Sequence, residues 1–338
     1  MASDLKIFSI MLVAAAAIIL LAGCTSPLQS PTGASKPVVM AFDQWPPAWY
    51  FDVAINNGYL ARENVSVDII RFNGSYSELL ETFAENRSID CMDVTTIDLL
   101  NLREKGVWVK AIFPIDQSTG SDVIVANPNI TSVSQLRGKR VGYEEFNSFG
   151  HLFTVKLLEK YNLSESDVRM QILPMGEIPR AIEAGRLDAG HTFEPVTFEA
   201  IAKGQREIGS SSELPPLIFD VIACRKQVID ERPADVQGLV NAWFAAKAFE
   251  KENPANAHSI MANANGMPIA ELETYFSGNR LYGFEDGTEA VSSTNQSGVL
   301  STINIARNFL LERGQASGNV QSEELIDRRF MQNARWQP

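Results

Sequence analysis

The chain contains 338 residues, of which 41 are acidic and 29 are basic, and its formal net charge at pH 7 is -12. A chain this acidic is not expected to bind nucleic acid, or an anionic membrane surface, through its bulk charge. Its three cysteines and three histidines are scattered without the spacing of metal ligands, so the sequence predicts no zinc site and no cofactor.

The first segment of the chain predicts the compartment of the protein. After Lys6, residues 7–21 form an apolar run of about 15 residues, which fits the core of a signal peptide and is shorter than the ~20 residues that span a bilayer. The run ends in the letters LAGC at Leu21–Cys24, which resemble the lipobox of prokaryotic lipoproteins. The alternative is an ordinary signal peptide, or an uncleaved anchor, with a chance cysteine.

The lipobox resemblance implies that residues 1–23 are a signal peptide and that Cys24 becomes a diacylated N-terminus. Two acyl chains are the number that stable membrane anchoring requires. Residues 24–36 are rich in Ser, Thr, Pro and Gly, and we interpret them as a flexible tether. We therefore expect a lipid-anchored protein on the cell membrane, outside the cytoplasm.

The body of the chain, residues 37–338, is too long for one typical core and predicts two domains. Strand-like and helix-like segments alternate in it, as in α/β sheets with helical crossovers. A first set has predicted strands at 38–42, 65–72, 89–94 and 107–115, with helices at 48–62, 76–83 and 97–105. A second set has predicted strands at 122–126, 140–144, 168–173 and 189–193, with helices at 132–136, 149–161, 178–184 and 195–203.

The last part of the chain begins with a long apolar strand predicted at residues 217–224. Mainly helical segments follow it, predicted at 236–251, 255–264, 269–275 and 288–312. A strand that returns after the second set predicts a discontinuous first lobe, residues 37–121 and 222–338, around a second lobe, residues 122–221. The two connections would lie side by side and form a hinge, with a cleft beyond the carboxyl ends of the strands.

Four stretches of this body resemble a known family. They are FDQWPPAWYFDVAINNGYL, IDQSTGSDVIVANPNITSVSQLRGKRVGYEEFNSFGHLF, AIEAGRLDAGHTFEP and RPADVQGLVNAWFAAKAFEKENP. Together they are similar to the solute-binding proteins of ABC importers of the nitrate, sulfonate and taurine type, a superfamily that also holds binders of thiamine pyrimidine precursors. The resemblance covers roughly Val38 to Gly278, and its order and spacing are specific for the superfamily but not for the ligand.

The resemblance implies an α/β fold of the two-lobe type II periplasmic-binding-protein class, with a hinge of two crossover strands. It also implies a small-molecule ligand, an ABC importer permease as partner, and a monomer. An enzyme on the same fold is the alternative, but the sequence shows no nucleophile, base or phosphate-loop constellation, so no catalytic residue is predicted. A sensory domain is a further alternative, and the predicted lipid anchor argues against it.

The ligand-binding residues are predicted from their places at strand ends. Asp122, Glu144 and Glu194 would converge on the cleft, where carboxylates repel one another unless a cation or hydrogen-bond donors lie between them. A hinge salt bridge for Asp122 and helix N-terminal charges for the two glutamates are the alternatives. Trp45, in a rigid loop before two prolines, is either a flat wall for a ring or cation or a packing residue.

A second group of candidates would bind an anionic group or donate hydrogen bonds. Asn147 and Ser148 precede one predicted helix and Ser75 precedes another, so the free N–H groups there could bind an anion, although simple N-capping is the alternative. Thr95 and Ser118 are candidate hydroxyl donors. Cation and anion subsites together would suit a zwitterion such as taurine, whereas converging carboxylates would suit an aminopyrimidine. Cys91 and Cys224 could form a disulfide or remain two buried thiols.

Overall fold

A computed structural model describes residues 36–73, 75–295 and 297–335 of the chain. The predicted signal peptide, the lipidation residue Cys24 and almost all of the predicted tether lie outside these ranges and stay predictions. Within them, no helix is both long enough and apolar enough to cross a membrane.

Two β-sheets organise the described part of the chain. The strands are β1 Val38–Phe42, β2 Val67–Arg71, β3 Cys91–Thr95, β4 Val109–Ser118, β5 Val123–Ala126, β6 Arg140–Tyr143, β7 Arg169–Ile172, β8 Ala189–Thr192, β9 Arg206–Ser210, β10 Phe219–Arg225 and β11 Asn279–Leu281. A six-stranded sheet has the order β11-β4-β10-β3-β1-β2, and a five-stranded sheet has the order β7-β6-β8-β5-β9. The first sheet forms the centre of lobe 1 and the second that of lobe 2.

Helices cover both sheets. They are α1 Tyr50–Asn56, α2 Tyr59–Arg62, α3 Tyr76–Glu85, α4 Thr96–Glu104, α5 Phe149–Lys160, α6 Ile178–Glu183, α7 Val196–Ala202, α8 Lys226–Glu231, α9 Pro233–Glu252, α10 Pro254–Asn265, α11 Ile269–Ser277, α12 Phe284–Ser292, α13 Val299–Glu312 and α14 Arg329–Gln332. The long helix α9 packs on lobe 1 through Trp243, whose ring lies 5.1 Å from that of Phe113 and 5.2 Å from that of Tyr50. Burial of such large aromatic rings anchors the helical tail to the sheet.

The strand directions bring the ends of several strands to one edge of the first sheet. Strand β1 runs parallel to β2 and β3, so the carboxyl ends of these strands meet at the same edge. Strand β10 returns antiparallel between β3 and β4. It belongs to the six-stranded sheet from its first residue, Phe219, so in the division into lobes that we propose, the boundary moves from after residue 221 to before residue 219.

The two connections between the lobes lie side by side, as the sequence predicted. The hydroxyl oxygens of Ser118 and Ser211 are 2.8 Å apart, and the Ser211 N–H donates to the carbonyl of Asp122 at 2.8 Å. Gly278, just before β11, joins them, since its carbonyl accepts the N–H groups of Thr119 and Ser121 at 3.0 Å each. A Cβ atom at Gly278 would lie only 3.0 Å from the Ser121 Cα, so this close approach favours glycine.

A disulfide joins neighbouring strands of the first sheet. Cys91 of β3 and Cys224 of β10 are directly opposite in the antiparallel register, with their Cα atoms 4.0 Å apart. The sequence left this pairing open because 133 residues separate the two cysteines. Only the return of β10 beside β3 brings them together.

Some predicted elements differ from those observed. The single helix predicted over residues 288–312 is two helices, α12 and α13, since short polar side chains between them bond to the backbone. One of these, Asn295, accepts the Ser297 N–H at 2.9 Å. Strands β9 and β11 were not predicted, because one carries charged residues at a sheet edge and the other has three residues.

Candidate functional site

A cleft between the lobes holds a narrow cavity of about 50 Å³ that is partly open to solvent. Residues of both lobes form its walls. They are Asp43, Trp45, Tyr76, Asp93, Thr95, Ser118, Asp122, Phe149, Phe193, Ile218, Asp220 and Asn279. Carboxyl groups and aromatic rings dominate this set, so the walls combine negative charge with flat apolar surface.

The strands of lobe 1 position a cluster of four aspartates, Asp43, Asp93, Asp116 and Asp220. Asp43 directly follows β1, and Asp93 lies in the neighbouring parallel strand β3. Asp220 of β10 is opposite Asp116 of β4 in the antiparallel register, and its other neighbour is Thr95 of β3. Four different strands therefore deliver carboxyl groups to one place.

The four carboxyl groups form two pairs, each within hydrogen-bonding reach. Asp43 pairs with Asp93, and Asp116 pairs with Asp220. Two carboxyl groups at this distance share a proton more readily than they hold two negative charges. Within the described ranges none of the four forms an ion pair with a lysine or an arginine.

Burial raises the pKa of every member of this cluster. Burial raises the pKa of Asp116 to about 7, and the nearby charges of Asp122 and Asp43 add to that effect. Burial, followed by the charge of the paired neighbour, raises the pKa of Asp93 and of Asp220 well above the usual range for aspartate. Strongly shifted carboxyl groups on a cleft wall are typical of functional sites.

Two oxygen atoms of the cluster accept no hydrogen bond from an N–H or hydroxyl group in the described part of the chain, Oδ1 of Asp93 and Oδ1 of Asp116. Both residues are buried, with 3% and 0% of their surface exposed. Buried polar oxygens are nearly always hydrogen-bonded, so these two acceptors need an explanation. Asp93 lines the cleft, and its unpartnered oxygen is therefore a candidate contact for a bound molecule.

Aromatic rings bring the two lobes into contact around this cluster. The Trp45 indole N–H donates to Asp116 Oδ2 at 2.8 Å, and its ring meets the edge of Phe193 of lobe 2 at 5.8 Å. Tyr76 of lobe 1 meets Phe149 of lobe 2 at 5.9 Å. The rings thus form two interlobe contacts beside the carboxyl groups.

The lobe 2 wall differs because its charged group is paired. Asp122 Oδ1 lies 2.7 Å from His191 Nε2, and both side chains are buried. Its backbone N–H donates to the Ser118 hydroxyl at 3.2 Å. This carboxylate is tied into the hinge, which agrees with one of the two roles that the sequence left open for it.

The structure brings together four of the nine predicted ligand-binding residues. Trp45, Thr95, Ser118 and Asp122 line the cleft cavity. The other five lie outside its walls, namely Ser75, Glu144, Asn147, Ser148 and Glu194.

Local hydrogen bonds explain the places of four of these residues, all except Glu144. Ser75 and Ser148 are N-caps of α3 and α5, and Glu194 accepts the Phe198 N–H at 3.1 Å at the start of α7. The Asn147 N–H donates to His151 Nδ1 at 3.0 Å, at a second opening between the lobes, which has a larger volume than the first. Burial raises the pKa of the Glu144 carboxyl, and the nearby His191 opposes that shift.

The sequence reasoning did not identify the aspartates of lobe 1. Asp93 interrupts the buried run CMDVT, and Asp220 interrupts FDVIACR. An acidic residue inside an otherwise apolar strand is a signal that could have found them, because aspartate is almost never fully buried without a partner. In the described ranges, no group of three or more His, Cys, Asp or Glu is arranged to hold a metal ion.

Known proteins resemble this chain in sequence. Residues 49–257, more than half of the chain, match the family profile described as NMT1/THI5 like. A predicted binding protein of Brucella abortus (strain 2308) is 23% identical over 195 residues, which cover 55% of this chain and 61% of that protein. The match therefore spans less than two thirds of that relative's length.

Solved structures share the fold at low sequence identity. The periplasmic aliphatic sulphonate binding protein from Escherichia coli superposes with a TM-score of 0.70 at 15% identity, over 86% of this chain and 92% of that one. A desulfurization enzyme superposes with a TM-score of 0.62 at 15% identity, over 87% and 98%. These likenesses confirm the predicted two-lobe type II periplasmic-binding-protein fold, which both a binding protein and an enzyme use.

Proposed function

The chain belongs to the NMT1/THI5-like family, and from this premise we propose that it is a solute-binding protein that works outside the cytoplasm. It captures a small molecule in the cleft between its lobes and delivers it to the permease of an ABC importer. The observation that carries this proposal is the cleft itself, whose walls combine charged and aromatic side chains from both lobes.

Contacts across the cleft support a closing motion. Arg313 at the end of α13 donates to Glu165 of lobe 2 at 2.6 Å, and the amide of Asn101 donates to the carbonyl of Asn147 at 3.2 Å. These bonds link elements that the two adjacent connections would allow to separate. A ligand that touches both walls would favour the closed arrangement, and a permease could recognise that state.

The compartment belongs to the proposal. The Cys91–Cys224 disulfide supports it, since such bonds persist in oxidising environments outside the cytoplasm. We further propose that Cys24 carries the lipid anchor and that the protein acts as a monomer. Cys24→Ser should move the protein from the membrane fraction to the soluble fraction, because no acyl chain can be attached. Retention as tight as that of the parent protein would contradict the anchor.

We propose that the ligand is a small nitrogen-containing or zwitterionic nutrient. It is either sulfonate-like and related to taurine, or aminopyrimidine-like. The named relatives include a sulphonate binder, whereas the described cleft walls are acidic. This difference decides the design of the experiments, which therefore include ligands of both charges.

Closure is tested by small-angle scattering and thermal melting with taurine, ethanesulfonate, 4-aminopyrimidine and benzamidine. A bound ligand should raise the melting temperature, because it binds only the folded state, and should decrease the radius of gyration. Binding without any change of shape would contradict the hinge, and no response to any of the four compounds would contradict the proposed function.

An enzyme is the second candidate, favoured by the desulfurization enzyme that shares the fold. The cleft walls in the described ranges present carboxyl groups, and the cysteines Cys91 and Cys224 are joined in the disulfide. Mass spectrometry of each bound compound after incubation separates the two functions. A solute-binding protein returns the compound unchanged, whereas an enzyme converts it.

A further inference from the structure

We propose that the cleft binds a small organic cation that has a flat apolar body and at least two N–H groups. These N–H groups would donate hydrogen bonds to the carboxyl groups of Asp43, Asp93 and Asp220. Amidinium and guanidinium compounds are the matching chemical class. The inference rests on the proposed function and deepens it, because it assigns the sign of the ligand's charge and the residues that select it.

The first support is the balance of charge on the lobe 1 wall. Asp43, Asp93 and Asp220 line the cavity, and Asp116 is opposite Asp220 in the neighbouring strand. Without a bound molecule their partners are one another, backbone N–H groups such as that of Trp45, which donates to Asp43 at 2.8 Å, and the Trp45 indole N–H. Within residues 36–73, 75–295 and 297–335 no lysine or arginine is paired with them. A cation would supply the missing positive charge.

The second support is the unpartnered oxygen of Asp93, which is independent of the number of acidic residues. Its residue is 3% exposed and lines the cavity, yet Oδ1 accepts no hydrogen bond in the described part of the chain. A ligand N–H at this oxygen would satisfy a buried acceptor, whereas an anionic oxygen there would leave it unsatisfied and add repulsion.

The third support is that the side-chain donors of the cavity are already engaged. The Trp45 N–H binds Asp116, the Thr95 hydroxyl binds Asp98 at 2.6 Å, and the Asn279 amide binds Tyr275 O at 2.7 Å and Ser121 Oγ at 3.1 Å.

The remaining donors of the cavity are engaged in the same way. The Ser118 hydroxyl is bonded to the Ser211 hydroxyl, and the Tyr76 hydroxyl is hydrogen-bonded to Asp98. A sulfonate or nitrate needs donors, and these side chains have none to spare, while acceptors are in excess.

The aromatic walls define the body of the ligand. Four aromatic residues line the cavity together with the carboxyl groups, namely Trp45, Tyr76, Phe149 and Phe193. Such rings favour flat apolar groups and attract cations through their π faces. An aromatic or conjugated cation would therefore satisfy both features of the cleft at once.

The test uses two compounds of matched size and opposite charge, benzamidine and benzenesulfonate, in calorimetric titrations of the purified mature protein. Benzamidine should bind with a stoichiometry of one, and benzenesulfonate should show no binding. Asp93→Asn and Asp220→Asn, which keep the shape and replace a carboxyl group by a neutral amide that cannot become charged when the cation binds, should each weaken benzamidine binding by about tenfold or more. Two variants are used so that a folding defect in one, checked by its melting curve, leaves the other.

The matched control is Asp68→Asn, because Asp68 is an exposed residue of strand β2 in the same sheet and lies outside the cleft. It makes the same chemical replacement of one carboxyl group by an amide and should bind benzamidine within about twofold of the parent. If the two cleft variants bind as tightly as Asp68→Asn, the assignment of these carboxyl groups is wrong.

The two failures are distinguishable. Binding of benzenesulfonate without binding of benzamidine would overturn the cationic ligand and leave the solute-binding function standing. Binding of neither compound, together with no response to taurine, ethanesulfonate or 4-aminopyrimidine, would overturn both proposals.

Discussion

The acidic side chains on the two walls of the cleft differ in whether they have a basic partner. On lobe 2, Asp122 is held by His191 at 2.7 Å, and further from the cleft Asp188 accepts two hydrogen bonds from the Arg140 side chain at 2.9 and 3.0 Å. On lobe 1, Asp93 and Asp220 face the cavity with raised pKa values and no basic partner among the described residues. A buried charge that has a partner is compatible with folding, whereas a buried charge without a partner opposes folding. Such a charge is retained where a bound ligand supplies the partner.

The largest expected effect comes from breaking the paired side. His191→Leu leaves the Asp122 carboxylate buried and without its partner. Removing one partner of a buried pair typically costs about 3–5 kcal/mol of folding free energy. Chemical denaturation of parent and variant at pH 7 measures the change. An unchanged free energy of unfolding would show that the pair contributes little and would remove the contrast between the walls.

The opposite sign is expected on the unpaired side. Asp116→Asn keeps an oxygen that can accept the Trp45 N–H and removes a buried carboxyl whose pKa is about 7. At pH 8, where that carboxyl is charged in the parent, we expect the unliganded variant to be more stable by about 1–3 kcal/mol. Denaturation at pH 8 is the measurement, and a less stable variant would contradict the account.

The pH dependence of stability sharpens the same contrast. The pKa of Asp116 rises from 3.8 to about 7 on folding, so the stability that its protonated form contributes is complete below pH 3.8 and is lost as the pH rises through 7. Burial also raises the pKa of its neighbours Asp43 and Asp220. We expect the unliganded parent to lose stability between pH 5 and pH 8, and Asp116→Asn to lose less.

Paired carboxylates dominate in a separate pH range. Glu165, for example, has a lowered pKa through its hydrogen bond with Arg313, although burial opposes that shift, so its contribution is lost as the pH falls below about 4.5. Melting temperatures collected from pH 5 to pH 8 report on the carboxyl groups with raised pKa values, which include Asp98 at about 6 as well as the lobe 1 cluster, so the comparison with Asp116→Asn is needed to isolate the cluster. Parallel curves for parent and Asp116→Asn over this range would count against the cluster.

The smallest expected effect concerns the contact between the walls. The Ser77 hydroxyl of lobe 1 donates to Glu145 of lobe 2. Ser77→Ala removes one hydrogen bond of the closed arrangement, worth roughly 0.5–1.5 kcal/mol, and should weaken ligand binding by roughly two- to tenfold without changing the cleft walls. Titration of benzamidine into the variant measures this change. A tighter complex would show that the contact opposes closure.

The sequence predicted the frame of the site better than its contents. Local patterns and the family resemblance predicted the strand ends, the two adjacent connections and the place of Trp45. The predicted fold class is confirmed. The aspartate cluster depends on register, since Asp220 meets Asp116 and Thr95 only when β10 returns between β3 and β4. Pairing between residues about a hundred positions apart is not encoded in any local pattern.

Local hydrogen bonds explain the residues that the sequence placed in the cleft and the structure places elsewhere. Ser75, Ser148 and Glu194 lie at helix N-termini, where their oxygens accept backbone N–H groups of their own helices. The sequence offered this capping role beside the ligand-binding one, and periodicity alone could not choose between them. A polar residue at a strand end is thus weaker evidence for a site than an acidic residue inside a buried strand.

The most direct test of the central claim is the number of protons released when a cation binds. Benzamidine is titrated into the parent protein near pH 7 in two buffers with different ionisation enthalpies. The groups that face the ligand or the cluster are Asp43, Asp93, Asp116, Asp220, Asp122, Asp98, Glu144 and His191. A bound cation favours the charged carboxyl forms and should expel protons from the cluster, so the account expects net proton release that Asp220→Asn reduces. Binding with no proton release, or binding only of benzenesulfonate with proton uptake, would contradict it.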